Sequence, residues 1–145
     1  MTRVNSAISV KLLCDELLLA EHREIKRLPK VLEKTLRTRG LCKIPEVFVL
    51  GPGHVKFFMD KMKFIKQRYV EIYNECVSRG FAVQDYSSSF DHIPPVYMND
   101  YEPTSQEHAL LIDRISTRIK DSKKSKFHYC KKAISKDEAI AFLCA

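Results

Sequence analysis

An all-α fold is predicted for this chain by two observations. Apolar residues recur at spacings of three and four in three separate stretches, and helix breakers are scarce, with 4 glycines and 6 prolines in 145 residues. The expected architecture is one compact domain over residues 1–145, large enough to bury a core without disulfides or metals. Three main helices, the first of them kinked, are joined by long irregular connectors.

The first helix is predicted from Asp15 to Arg39. Asp15 stands where it can cap the helix, Leu18, Ile25, Leu28, Leu32 and Leu36 line one side, and Gly40 lies where a helix stops. Pro29 removes one backbone donor inside this span, so the expectation is a kink at that point rather than two helices. The second helix runs from Val55 to Val77 through Phe58, Met62, Ile65, Tyr69 and Ile72, with Gly80 closing it. The third begins at Thr104, with Glu107 completing a Thr-x-x-Glu capping box, and continues through Leu111, Ile115 and Ile119.

Between these helices "IPEVFVLGPG" and "QDYSSSFDHIPPVYMNDYEP" read as irregular connectors. Glu46-Val47-Phe48-Val49-Leu50 alternates like a short strand, but with no evident partner it reads as an extended loop. The tail "KDSKKSKFHYCKK" is a basic run with two aromatics, followed by a short apolar end suited to a fourth helical turn.

A net charge of +7 suits an acidic partner, and nucleic acid is the commonest one for a small basic domain. Excess lysine serving solubility explains the charge equally well. Five cysteines without a CxxC pair suit reduced thiols, several of them buried. The five histidines form no metal-ligand cluster, so metal ligands are not assigned. No apolar run reaches transmembrane length and the amino terminus lacks a signal-peptide core, so the chain is expected to be soluble, intracellular and monomeric.

"HREIKR" at 22–27 places Glu24 among residues that are or can be cationic. On a helix, Glu24 and Arg27 form an ordinary i,i+3 pair, which is the plain explanation. A second feature changes the balance. Thr2 follows the initiator methionine, and removal of that methionine would leave the α-amino group of Thr2 at the chain end. An α-amino group has a reference pKa of about 7.7–8.0, so an appreciable fraction is neutral at pH 7. Nearby arginines lower it further. A neutral primary amine attacks carbonyl- or acetal-type carbon and forms Schiff bases. Such chemistry needs a proton carrier, and Glu24 is the candidate.

"MTRVN", "AEHREIKR", "LGPGHVKFFMDK", "ECVSRGF" and "IPPVYMNDYEP", in this order, together resemble the pyrimidine-dimer DNA glycosylase/AP lyase family from Thr2 to about Ile134. The resemblance implies an amino-terminal segment threaded between helices, with Thr2 as nucleophile and Glu24 as the acid–base carboxylate. The amine would attack the anomeric carbon of the 5′ deoxyribose of a cyclobutane dimer, displace the base and leave an imine. Glu24 would then assist removal of the C2′ proton, so that β-elimination breaks the strand. No metal or organic cofactor is implied.

The partner implied is double-stranded DNA carrying pyrimidine dimers or abasic sites, held bent with the base opposite the lesion extruded. Damage selectivity would come from deformability, and lesion-free binding would be electrostatic and steeply salt-dependent. Arg3, Arg23 and Arg27 match phosphate-holding positions, and Arg114 and Arg118 match basic positions that face DNA. Arg23 and Arg27, four apart, would project from one helix side about 6 Å apart along its axis. The "GPGH" turn at 51–54 reads as structural, with His54 a capping or core residue in preference to a DNA contact.

The chain also departs from the family pattern. Leu17 replaces a histidine carried by several members, and one extra residue separates Glu24 from Arg27. Lys126-Phe127-His128-Tyr129-Cys130 stands in place of an aromatic-rich segment that lies against the lesion strand. An AP lyase with altered damage specificity and a non-catalytic DNA-binding protein are the alternatives to the dimer glycosylase.

Overall fold

The computed structural model describes residues 4–41 and 43–145. The first helical stretch is two helices, α1 (Asp15–Ile25) and α2 (Arg27–Thr38), meeting at Lys26. Pro29 explains where they part. In an uninterrupted helix its ring would collide with the carbonyl of Ile25, four residues back. Restarting at Arg27 moves Pro29 into a first turn, where its missing N–H needs no partner. The expected kink is thus a full interruption, placed ahead of the proline.

Asp15 is the first residue of α1, and Cys14 holds the N-cap position without a side-chain bond. The Asp15 carboxylate is buried and serves a tertiary purpose instead. It accepts from Arg79 Nη1 at 3.0 Å and from the backbone N–H groups of Cys130 and Lys131 at 3.0 and 2.7 Å.

Those two amides belong to a hairpin that corrects the all-α expectation. Strands β1 (Lys126–Tyr129) and β2 (Lys132–Ser135) pair antiparallel, with Phe127 opposite Ile134 and His128 opposite Ala133. The fold is therefore mainly helical with one two-stranded sheet. Cys130 and Lys131 form the turn with φ of 50° and 69°, a conformation that usually calls for Asn-Gly. Asp15 satisfies both turn amides, which offsets the strain of two side-chain-bearing residues there.

The second predicted helix is also divided. α3 (His54–Phe57) is one turn, and α4 (Met62–Ser78) begins after a bend in which Lys61 bridges to Met98. Phe58 and Met59 lie in the bend yet are fully buried, so their apolar spacing marks core positions, not helical continuity. Val77, at the end of the same run, is 50% exposed.

α5 (Ser105–Asp121) starts as expected, with Thr104 Oγ1 accepting the Glu107 N–H at 3.1 Å. The Glu107 side chain does not return to close the box; it accepts from the hydroxyls of Ser6 and Tyr101. The apolar tail forms α6 (Lys136–Leu143), opened by a complete capping box between Ser135 and Glu138. Among the described residues, the 46–50 stretch pairs with no strand.

The core is built where α1 packs on α4, with Leu18 and Ile25 buried alongside Ile65, Tyr69 and Ile72, and Leu28 and Leu32 of α2 joining the same cluster. Leu111, Ile115 and Ile119 of α5 extend it, and Phe127 and Leu143 close the carboxy-terminal side. Burial raises the Cys14 and Cys76 thiols to about 11, while Cys130 and Cys144 are exposed free thiols. Among the described residues, no helix is long and apolar enough to cross a membrane.

Candidate active site

Glu21 and Glu24, one turn apart on α1, both line a cavity of about 310 Å³. Leu17 and Ala20 continue that wall. α5 supplies the facing wall with Leu111, Arg114, Ile115 and Arg118, and Val4, Asn5 and the 50–54 turn complete the enclosure. A hydrocarbon lining thus surrounds a few charged groups, an arrangement suited to binding and acid–base chemistry.

The two carboxylates differ in burial. Glu21 is buried and its oxygens are committed: Arg68 reaches them with Nε at 2.8 Å and Nη2 at 3.0 Å, and Asn5 Nδ2 donates at 2.9 Å. Glu24 is half-buried, and burial raises its pKa above the ordinary 4.5. The positive charges of Arg27 and Arg23 pull the other way, but less strongly. Desolvation thus outweighs the neighbouring cations in setting the direction of Glu24's ionisation. A carboxyl shifted upward is better matched to taking and returning a proton near neutral pH.

Three consecutive residues of the amino-terminal segment are held by three different helices. The Val4 N–H donates to His54 Nε2 at 3.0 Å, Asn5 binds Glu21, and the Ser6 hydroxyl donates to Glu107. Beyond them, Arg68 Nη1 donates to the Ile8 carbonyl. From Val4 onward the segment is wedged among α1, α3, α4 and α5. Thr2 and Arg3 lie outside the described residues; Val4, on the cavity wall, is the first described residue after them.

The other cationic candidates divide into two groups. Arg114 and Arg118 occupy successive turns of α5 and line the cavity opposite Glu24. Arg23 and Arg27 are exposed beside Glu24 but sit on different helices, because the α1–α2 junction at Lys26 falls between them. The spacing along a single axis does not apply to that pair. His22 adds no cation to the group either. It is buried with Nε2 3.1 Å from the Tyr69 hydroxyl, and burial, then the Lys26 charge, push its pKa down. Lys26 lies 3.6 Å from the centre of the Tyr86 ring.

Aromatic residues of the 126–130 segment face inward. Phe127 is buried, and Tyr129 stacks on Phe142 at 4.6 Å with the Arg79 guanidinium 4.3 Å from its ring. The Tyr129 hydroxyl donates to the Lys11 carbonyl at 2.6 Å. His128 is tied to Glu16 through its backbone N–H, at 2.7 Å, and its Nδ1, at 3.1 Å.

Glu21, Arg68, Asn5, Ser6 and Glu107 were not singled out from sequence as parts of the site. One signal was present. Arg68 falls three residues after Ile65 and four before Ile72, so it lies on the buried face of a helix, where a cation needs a carboxylate.

A model of the family described as pyrimidine dimer DNA glycosylase matches residues 1–87, which take in the amino-terminal segment and α1 to α4. Glu21, Glu24, Arg68 and His54 all fall inside the match. The match covers more than half of the 145 residues, and the protein belongs to the pyrimidine dimer DNA glycosylase family.

Proposed function

We propose that the protein cleaves the N-glycosidic bond at the 5′ base of a cyclobutane pyrimidine dimer and then cleaves the strand as an AP lyase, using the α-amino group of Thr2 and the carboxylate of Glu24. The observation that carries this reading is the half-buried Glu24 on a cavity wall shared with Val4, two residues along the chain from Thr2.

The neutral amine attacks C1′ as the N-glycosidic bond breaks, and the departing base takes the bonding electrons and a proton. The C1′–O4′ bond then opens to give an imine between the amine nitrogen and C1′. Glu24 removes a C2′ proton, the electrons form the C2′–C3′ double bond, and the 3′ phosphate leaves with the C3′–O bond pair. Water hydrolyses the imine and returns the amine. A neutral amine suits the attack, and a carboxyl shifted upward by burial suits the proton transfer.

The arginines hold the backbone in this scheme: Arg114 and Arg118 from the α5 wall, Arg23 and Arg27 from beside Glu24, and Arg3 as the neighbour of Thr2 in sequence. Arg118→Gln is expected to weaken duplex binding to a similar degree on damaged and undamaged DNA. The slope of log affinity against log salt should fall by about 1. A change confined to damaged duplex would remove Arg118 from that role.

Altered damage selectivity is favoured by one specific observation: in the 126–130 segment Phe127 is buried and the half-buried Tyr129 is stacked on Phe142. The deciding experiment is borohydride reduction during turnover. Dimer-containing and abasic duplexes are both expected to be trapped covalently, with the adduct mapping to Thr2. Trapping of abasic duplex alone identifies an AP lyase with weakened dimer recognition, and no adduct with either duplex refutes the lyase mechanism.

A further inference from the structure

His54 is 3% exposed and each of its ring nitrogens has a defined partner. Nδ1 lies 3.0 Å from the Val49 carbonyl, which can only accept, so Nδ1 carries the proton. Nε2 is then a lone-pair acceptor, and it takes the Val4 N–H, 50 residues away in sequence, at 3.0 Å. Edge-on contacts with Phe48 and Phe58, at 5.4 and 5.3 Å between ring centres, fix the plane of the imidazole. Burial lowers its pKa, which preserves this neutral tautomer.

The turn before His54 is built to deliver the ring. Gly53 has φ of 155°, and a Cβ there would come within 3.1 Å of Val49 Cγ2. The two glycines of "GPGH" let α3 start at His54 directly beneath the amino-terminal segment.

Val4 is two residues from Thr2, so the peptide geometry limits the Thr2 amine to a radius of about 7 Å around Val4. Fixing the Val4 amide therefore fixes the centre of that radius, on the wall of the cavity that Glu24 lines. Asn5 and Ser6 are held by other groups, whereas His54 bonds the backbone of Val4, the described residue closest to the reactive end, whose side chain is packed in the core. We infer that His54 is a positioning residue for the nucleophile, acting through its bond to the Val4 backbone; this rests on the Thr2 mechanism proposed above.

Two substitutions separate the ring's two bonds. His54→Asn keeps a donor at the Nδ1 position for Val49 and loses the acceptor for Val4. His54→Gln places a carbonyl oxygen at the Nε2 position and loses the Val49 bond. The expected result on abasic duplex is a trapping rate about 10- to 100-fold slower for His54→Asn at saturating protein, with duplex affinity within about 3-fold of wild type. His54→Gln should recover most of the rate. Thermal melting of both variants establishes that they are folded under the assay conditions.

Equal rates for His54→Asn and wild type overturn the inference, as does a loss for His54→Gln as large as that for His54→Asn. A parallel loss of affinity and rate also overturns it, because it marks a general structural role. Wild-type protein run alongside separates this inference from its premise. A wild-type adduct at Thr2 with unaffected variants sinks only the role of His54, whereas no wild-type adduct at Thr2 sinks both.

Discussion

Glu24→Gln is expected to lower the single-turnover rate of strand cleavage on abasic duplex by about 10²- to 10⁴-fold, the range for loss of a general acid–base group. Duplex affinity should fall little or rise, because the substitution removes a negative charge from beside Arg23 and Arg27 and adds no bulk. The measurement is a quench-flow time course with a parallel binding isotherm. Cleavage at the wild-type rate would exclude Glu24 from proton transfer.

The same substitution has a stability consequence with a definite sign. Burial raises the folded-state pKa of Glu24 above the ordinary 4.5, so the folded protein binds that proton more tightly than the unfolded chain does. The associated stability is fully present below the unfolded-state value and is lost as pH rises through the folded-state value. Glu24→Gln should therefore melt at about the wild-type temperature in acid and above it at neutral pH. A neutral-pH midpoint below wild type would show that the ionised carboxylate is net stabilising.

Arg68→Met carries the largest expected effect on stability, about 3–5 kcal/mol, because it strands the buried Glu21 with Asn5 as its remaining side-chain donor. Denaturant unfolding should show a lower midpoint with an unchanged slope. Glu21→Gln in the Arg68→Met background should recover part of the loss, since the neutral amide removes the uncompensated charge. A double variant no better than Arg68→Met would mean that the guanidinium acts mainly through the Ile8 carbonyl.

Much of the helical content was legible because apolar periodicity reports directly on buried faces. Leu18, Ile25 and Leu32, then Ile65, Tyr69 and Ile72, then Leu111, Ile115 and Ile119 all reach the core. Continuity was not legible, because periodicity registers burial and not unbroken hydrogen bonding. Phe58 and Met59 are core residues in a bend, and Pro29 forces its break upstream of itself. The hairpin was hidden because its turn is Cys-Lys, a pair with no intrinsic preference for positive φ; its support comes from Asp15, more than a hundred residues earlier.

Within the candidate site, Glu24 and the arginines could be chosen as charged residues at suggestive spacings. The clasp on the amino-terminal segment could not, since the bonds from Val4, Asn5 and Ser6 span sequence separations of 50, 16 and 101 residues. Long-range hydrogen bonds leave no periodic trace. The half-burial of Glu24, which decides the direction of its titration, likewise depends on the assembled wall and not on its charged neighbours in sequence.

The cavity draws its two sides from different parts of the chain: Glu24 and the segment leading from Thr2 lie within residues 1–87, and Arg114 and Arg118 lie beyond them. In the proposed scheme bond making and breaking belong to the first part, while much of the grip on the nucleic acid belongs to the second. In that scheme, substitutions at Arg114 and Arg118 retune how tightly duplex is held without redesigning the reactive pair.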